Sequence, residues 1–147
     1  MIRQISEKDS GAVAEVHGRC FGSGWSERCF RDLLTQDVYI GFADVDNDTV
    51  RGFVLIQIVL DEAEMITFCV LPEFRSCGLG RSILTELTVY LAHRRVKKIF
   101  LEASEGNLRA IRLYESLGFE RISRRSDYYR AEQKSKDALV MLLRLLP

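Results

Sequence analysis

The chain has 147 residues, enough for one ordinary domain whose core needs no disulfide or metal staple. Lys plus Arg number 21, as do Asp plus Glu, so bulk charge recruits neither nucleic acid nor an anionic membrane surface. A hydrophobic share of 47% with 29% charged residues belongs to a globular chain, and no segment approaches the ~18 apolar residues of a membrane span.

The opening MIRQISEKDS lacks the apolar run of a signal peptide. Cys20, Cys29, Cys69 and Cys77 form no C-x-x-C pair, and His17 with Cys20 has no second ligand pair at zinc spacing. The expectation is reduced thiols, no metal and a cytoplasmic location.

In chain order, Met1–Ile5 reads as a short strand. Residues from Asp9 to Phe21 follow as a helix, with Val13, Val16 and Cys20 at helical spacing and Gly22-Ser23-Gly24 as its breaker. Ser26 is placed to cap a second helix through Leu34, with Glu27 favourable in its first turn. Val38–Asp44 and Val50–Leu60 flank the turn-rich Asp46-Asn47-Asp48 and form a predicted hairpin. Glu64–Leu71 is the next strand, stopped by Pro72. An amphipathic helix then carries Leu79, Ile83, Leu87 and Leu91 along one stripe. Ile99–Ala103 is a short buried strand, and a helix from Asn107 ends at Gly118, where a left-handed residue costs least. Glu120–Tyr129 and Asp137–Leu145 are the final strands. The order predicts a mixed α/β sheet of about seven strands with about four helices on both faces.

The segment Arg75-Ser76-Cys77-Gly78-Leu79-Gly80-Arg81 joins a strand to a helix. Its glycines let a ligand approach backbone N–H groups at the positive end of a helix dipole, which suits a phosphate or pyrophosphate. Arg75 and Arg81 add positive charge on either side. A P-loop is excluded because no Lys-Ser/Thr pair follows, and Ile83 stands where a dinucleotide fold needs a third small residue. Taken alone, the turn also admits a second reading, a glycine-rich helix start that binds nothing. Glu102 ends a buried strand, at the edge where ligands collect in such sheets. By itself it could be a solvated strand-end acid. Asn107 and Tyr114 lie ~10 Å apart along one helix edge, beside which an extended ligand could run. Taken alone, Tyr114 reads better as a half-buried core tyrosine whose hydroxyl meets water or backbone.

Together these runs resemble the GNAT acetyltransferase family. R-S-C-G-L-G at 75–80 is similar to its [QR]-x-x-G-x-[GA] motif, and N-x-x-A-x-x-L-Y-x-x-L-G-F from Asn107 to Phe119 to its second coenzyme-contacting segment. V-L-D-E-A at 59–63, L-E at 101–102, Trp25-Ser26-Glu27 and Tyr128-Tyr129 resemble the bacterial branch that acetylates the N-terminal alanine of a small-subunit ribosomal protein. The resemblance covers about Gln4 to Leu143 and implies one acetyltransferase domain over residues 1–147, using acetyl-CoA as co-substrate. It implies that Phe68, Cys69 and Val70 line the acetyl and pantetheine arm, that Ser76, Cys77, Gly78, Leu79, Gly80 and Arg81 cradle the pyrophosphate with Arg75 beside them, and that Asn107 contacts the pantetheine. Glu102 would be the proton acceptor and Tyr114 the proton donor. Ala103-Ser104 after Glu102, Gly106 before Asn107, and Arg130 in place of a proline after the tyrosine pair depart from that branch.

An α-ammonium with pKa near ~8 must lose a proton before it can attack, and partial burial of Glu102 would make it a better base. Glu62 is the candidate for holding that ammonium, and Trp25, Tyr128 and Tyr129 for walling a slot around an extended peptide N-terminus. The acceptor is thus expected to be a protein or peptide N-terminus, a ribosomal protein in the branch the sequence resembles, with no direct nucleic-acid and no membrane partner, and the enzyme a monomer or weak dimer. Alternatives are acetylation of a small amine, antibiotic or lysine side chain, transfer through Cys69 or Cys77, or a non-catalytic acyl-CoA-binding module.

Overall fold

The computed structural model describes residues 1–22, 24–125 and 137–145. Strand β1 is Ile2–Gln4. A single helical turn, Glu7–Asp9, follows, closed by Ser6 N–H donating to Asp9 Oδ2 at 2.8 Å. Because Asp9 spends its carboxylate there and on Arg3, helix α1 starts one residue later than its spacing predicted, at Ser10, and runs to Phe21. Gly22, at φ 78°, ends it. Ser26 caps α2 (Glu27–Leu34), its Oγ accepting the Cys29 N–H at 3.1 Å.

The hairpin β2 (Tyr39–Asp46) and β3 (Thr49–Val59) closes through two residues rather than three. Asn47 and Asp48 both take positive φ, 50° and 64°, a turn whose twist matches the strands and lets pairing run on to Asp46↔Thr49. Strand β4 is Glu62–Val70, and Pro72 opens the single turn that follows it. Helix α3 is Leu79–His93, β5 is Lys98–Ser104, and α4 is Leu108–Ser116, capped by Asn107 Oδ1 accepting the Ala110 N–H at 3.3 Å. Strands β6 (Glu120–Arg125) and β7 (Ala138–Arg144) complete a seven-stranded sheet ordered β1-β2-β3-β4-β5-β7-β6. The predicted continuation of β6 to Tyr129 lies outside the described residues.

Alternation along the strands divides the core between two faces. Ile40, Phe42, Val54, Ile56, Leu101 and Met141 pack under Ile83, Leu87 and Leu91 of α3 and Ile111 and Tyr114 of α4. Ala43, Phe53, Leu55 and Cys69 pack under Val13 and Val16 of α1 and Phe30 of α2.

Every neighbouring pair is antiparallel except β4 and β5. Those two pair only at Glu62↔Lys98, Ala63↔Ile99 and Glu64↔Phe100. Beyond this point β4 stays with β3 as far as Gly52↔Val70, and β5 stays with β7 as far as Ser104↔Ala138. The sheet therefore opens into a gap. A bulge starts the divergence: Leu55 pairs with Thr67 and Ile56 with Met65, leaving Ile66 as the extra residue. It also reverses the alternation, so that Phe68 turns toward α3 and α4 while Cys69 turns toward α1.

Gly41 holds β1 close to β2. A Cβ there would lie 2.6 Å from Ile5 Cδ1 and 2.9 Å from the Val54 backbone oxygen, which cannot yield. Gly41→Ala should destabilise the fold by about 1–3 kcal/mol, read as a lower urea midpoint with an unchanged slope.

Candidate active site

The gap between β4 and β5 is where the sequence candidates meet. Leu71 N–H donates to Arg51 O at 2.9 Å, so Leu71 faces β3 with its backbone groups. In an antiparallel ladder the alternate residues, Val70 and Phe68, then turn their N–H and C=O groups the other way, into the gap. Two donors reach the Val70 carbonyl from that side, Arg75 Nε at 2.8 Å and Cys20 Sγ at 3.5 Å.

At the α3 end of the gap, Ser76 (φ 65°) and Gly78 (φ 86°) fold the turn. The first backbone bond of α3 is donated by Ser82 to Gly78 O at 3.0 Å, so the N–H groups of Leu79, Gly80 and Arg81 precede its ladder. A Cβ on Gly78 would meet nothing within 4 Å, which marks open space over the turn. Gly80 is different: a Cβ there would sit 3.1 Å from Phe68 Cζ and 3.3 Å from Leu113 Cδ2, so α3 packs tightly against β4 and α4.

A cavity of about 550 Å³ runs from this turn along the gap, lined by Phe68, Cys69, Val70, Arg75, Ser76, Gly78, Gly80, Arg81, Asn107 and Tyr114 among others. Cys77 and Leu79 belong to the turn but do not line the cavity. Cys77 is exposed with its thiol on Phe74 O at 2.8 Å, and Leu79 packs against the α3/α4 core. The arginines are less free than the sequence suggested, since Arg75 is tied to Val70 O and Arg81 Nη2 donates to Ser116 Oγ at 2.7 Å. Sequence reasoning missed Arg109, which lines the cavity and reaches Ser76 Oγ at 3.3 Å. A basic residue directly inside the capped end of α4 was the available signal.

Tyr114 is 6% exposed, with its ring between Phe68 (centroids 6.1 Å apart) and Phe119 (5.7 Å). Burial, and next the neighbouring Cys69, hold its phenol well above the ordinary tyrosine range, so it keeps its proton. Burial, and next the neighbouring Cys20, likewise hold the Cys69 thiol well above its usual value. Cys69 is therefore a protonated, poor nucleophile at neutral pH.

Glu102 is placed otherwise than expected. Its backbone borders the gap, but Leu101 and Ala103 on either side enter the α3/α4 core, so its side chain leaves on the α1/α2 face. Partial burial at the strand end was the expectation, and the side chain is partly buried, but beside a cation. The carboxylate is 29% exposed and accepts Arg125 Nη1 at 2.6 Å. It does not line the main cavity. Glu62 lies on the same outer face but at the paired end of β4. There it lines a second hollow of about 270 Å³ with Glu64, Gln57, Val59 and Phe100. Trp25 stands on the α1/α2 side, ringed by His17 and Phe30. Tyr128 and Tyr129 lie outside the described residues.

An open helix start with unspent N–H groups, a cleft of backbone groups leading from it, and a buried phenol along the way together define an acyltransferase site for a long phosphate-bearing thioester. The family model for GNAT acetyltransferases matches residues 11–119, and the chain belongs to that family. It is 34% identical over 97% of its length to the ribosomal protein bS18 alanine N-acetyltransferase of Escherichia coli, covering 95% of that protein. A crystal structure of the Escherichia coli ribosomal-protein-S18-alanine N-acetyltransferase superposes with TM-score 0.92 at 33% identity, covering 100% of this chain and 94% of that one. Arabidopsis thaliana NAA60 in complex with acetyl-CoA shares the fold, with TM-score 0.86, 19% identity and coverage of 98% and 97%. The protein is an acetyl-CoA-dependent N-acetyltransferase.

The protonated state of Cys69 has a direct consequence. Near neutral pH, iodoacetamide should label exposed Cys77 and spare Cys69 in the folded protein. Cys69→Ala should keep kcat within about twofold of the parent. Rapid alkylation of Cys69 with parallel loss of turnover would restore transfer through the thiol.

Proposed function

We propose that this enzyme acetylates the α-amine of a protein N-terminus, with the alanine-first end of a small-subunit ribosomal protein as acceptor, in the RimI manner. The observation that carries this reading is the 34% identity to an enzyme of that name along 97% of the chain, which includes every segment bordering the gap. The two-sided gap supports it: coenzyme enters along α3 and α4, and an extended peptide end approaches from the α1/α2 face.

On this reading the N–H groups of residues 76–81 hold the pyrophosphate, and the inward backbone of Phe68 and Val70, with the Asn107 amide, holds the pantetheine arm. The coenzyme supplies an activated acetyl group. Glu102, oriented by Arg125, takes the proton from the acceptor ammonium, directly or through one water. The Val70 N–H donates to the carbonyl oxygen as negative charge grows there. Tyr114 gives its phenolic proton to the leaving sulfur. Its retained proton suits that role, because the phenol stays protonated across the working pH. Glu62 contributes negative charge to the acceptor face. The reaction draws on acetyl-CoA and newly made ribosomal protein, which places it in the cytoplasm.

Incubation with acetyl-CoA and peptides differing in first residue, followed by fragmentation mass spectrometry, tests the acceptor. Acetylation at the α-amine of an alanine-first peptide is expected; modification confined to lysine side chains or small amines would assign the enzyme to another acceptor class. Glu102→Gln and Tyr114→Phe should each lower kcat by about 10²-fold or more with little change in acetyl-CoA KM. Because the phenol is held above its ordinary range, kcat should not fall on the alkaline side until beyond pH ~10. Glu62→Gln should raise the peptide KM and leave the acetyl-CoA KM unchanged.

A further inference from the structure

Three polar side chains are buried among the described residues: Ser10, His17 and Asp44. Two have plain structural duties. Ser10 Oγ donates to Glu7 O at 2.7 Å, and Asp44 accepts Arg51 Nε at 2.6 Å. His17 remains, 5% exposed within the α1/α2 core.

Its hydrogen bond and its stacked ring both belong to Trp25. The Trp25 backbone N–H donates to His17 Nδ1 at 3.1 Å, which fixes the neutral tautomer with its proton on Nε2. The Trp25 indole stacks on the imidazole with centroids 4.8 Å apart and planes at 23°. On another side the imidazole meets Phe21 at 4.6 Å, and Phe30 and Phe53 lie beneath at 5.5 and 6.4 Å. Gly24 presses on the same spot: a Cβ there would stand 2.7 Å from Gly18 Cα and 2.8 Å from His17 Nδ1. Phe21 lines the main cavity and is 52% exposed, while Trp25 is 38% exposed. The imidazole thus ties a partly exposed indole to a ring at the mouth of the gap.

We propose that His17 is a positioning residue for the acceptor: in its neutral form it holds Trp25 and Phe21 as one aromatic wall on the side from which the amine enters, and protonation releases that wall. This rests on the assignment of the α1/α2 face to the acceptor. The chemistry is local. A protonated imidazole has no lone pair at Nδ1, so the Trp25 N–H loses its acceptor and a charge is left among aromatic rings.

Among the described residues, the groups recorded against His17 are Phe21 of α1, Gly24 and Trp25 of the connecting segment, Phe30 of α2 and Phe53 of β3, none of which carries charge. Cys20, further along α1, gives its S–H to Val70 O, and Arg19 is paired with Glu73. Burial alone therefore moves the imidazole, downward from its ordinary value. The native state binds fewer protons than the unfolded chain, so this contribution is present above pH ~6.5 and is lost as pH falls through the lowered value.

Trp25 is the sole tryptophan of the chain, so intrinsic fluorescence reports on this contact without labelling. Acid titration of the native protein should show an emission step below pH ~6.5, ahead of unfolding followed by circular dichroism, and His17→Phe should abolish it. His17→Phe should also raise the acceptor KM about tenfold while acetyl-CoA KM stays at the parent value. His17→Asn, whose side-chain oxygen can accept the Trp25 N–H, should recover part of that loss. The KM is measured with whichever amine the enzyme turns over, so failure of peptides as substrates would sink the peptide assignment and leave this test standing. A wild-type emission that stays flat down to acid unfolding, or a folded His17→Phe enzyme with the parent acceptor KM, would overturn the proposal. If His17→Phe does not fold, the wild-type titration and the His17→Asn kinetics decide it.

Discussion

The site depends on the parting of β4 and β5. Parallel strands pair through slanted, evenly spaced bonds, and here that pairing stops after Glu64↔Phe100 although both strands continue. A closed sheet would present two separate faces, and a ligand on one could not reach a base on the other. The gap converts the middle of the sheet into a passage lined by backbone groups with no strand to satisfy them. Such groups are costly to leave bare. The Val70 carbonyl is already held by Arg75 and Cys20, and a ligand bringing matching amides and carbonyls, as a pantetheine arm does, would partner those that remain. The divergence is sustained from both sides, by β3 holding β4 to Val70 and β7 holding β5 to Ser104.

Much of this was legible from sequence where the signal is local. The stripe of Ile83, Leu87 and Leu91 gave α3, and Asn107 and Gly118 bounded α4. The glycines at 78 and 80 marked the strand-to-helix turn, although they do different work. One opens the turn through a left-handed backbone, and the other admits a neighbouring ring. What local patterns could not show depends on pairing. The bulge at Ile66 arises from how β4 registers on β3, and it alone decides that Phe68, not Cys69, faces α3 and α4. Strict alternation from Met65 would place them the other way.

Glu102 shows the same boundary at the site itself. Its strand and its position at the gap follow from a short apolar run, but its face follows from Leu101 and Ala103 entering the α3/α4 core, and its ion pair from Arg125 across the sheet. Neither can be read without knowing that β7 lies between β5 and β6. Arg109 escaped for a related reason: a basic residue early in a helix opposes the dipole, and its use becomes visible only once the turn at Ser76 stands opposite.

The two proposed proton-handling groups therefore occupy unlike surroundings. Tyr114 sits among Phe68 and Phe119, dry enough that burial keeps its proton in place, whereas Glu102 stands part-exposed beside a guanidinium on the other face. This division suits a direct transfer. An acceptor ammonium arriving from solvent needs a base that solvent can also reach, so that the captured proton can leave. A leaving sulfur inside the cleft needs a donor that water does not level. Had both groups shared one dry cavity, the charged ammonium would have had to be desolvated before losing its proton, at a cost of several kcal/mol. With Glu102 as the proposed base beyond the gap, deprotonation would precede burial, so that only a neutral amine need enter the passage.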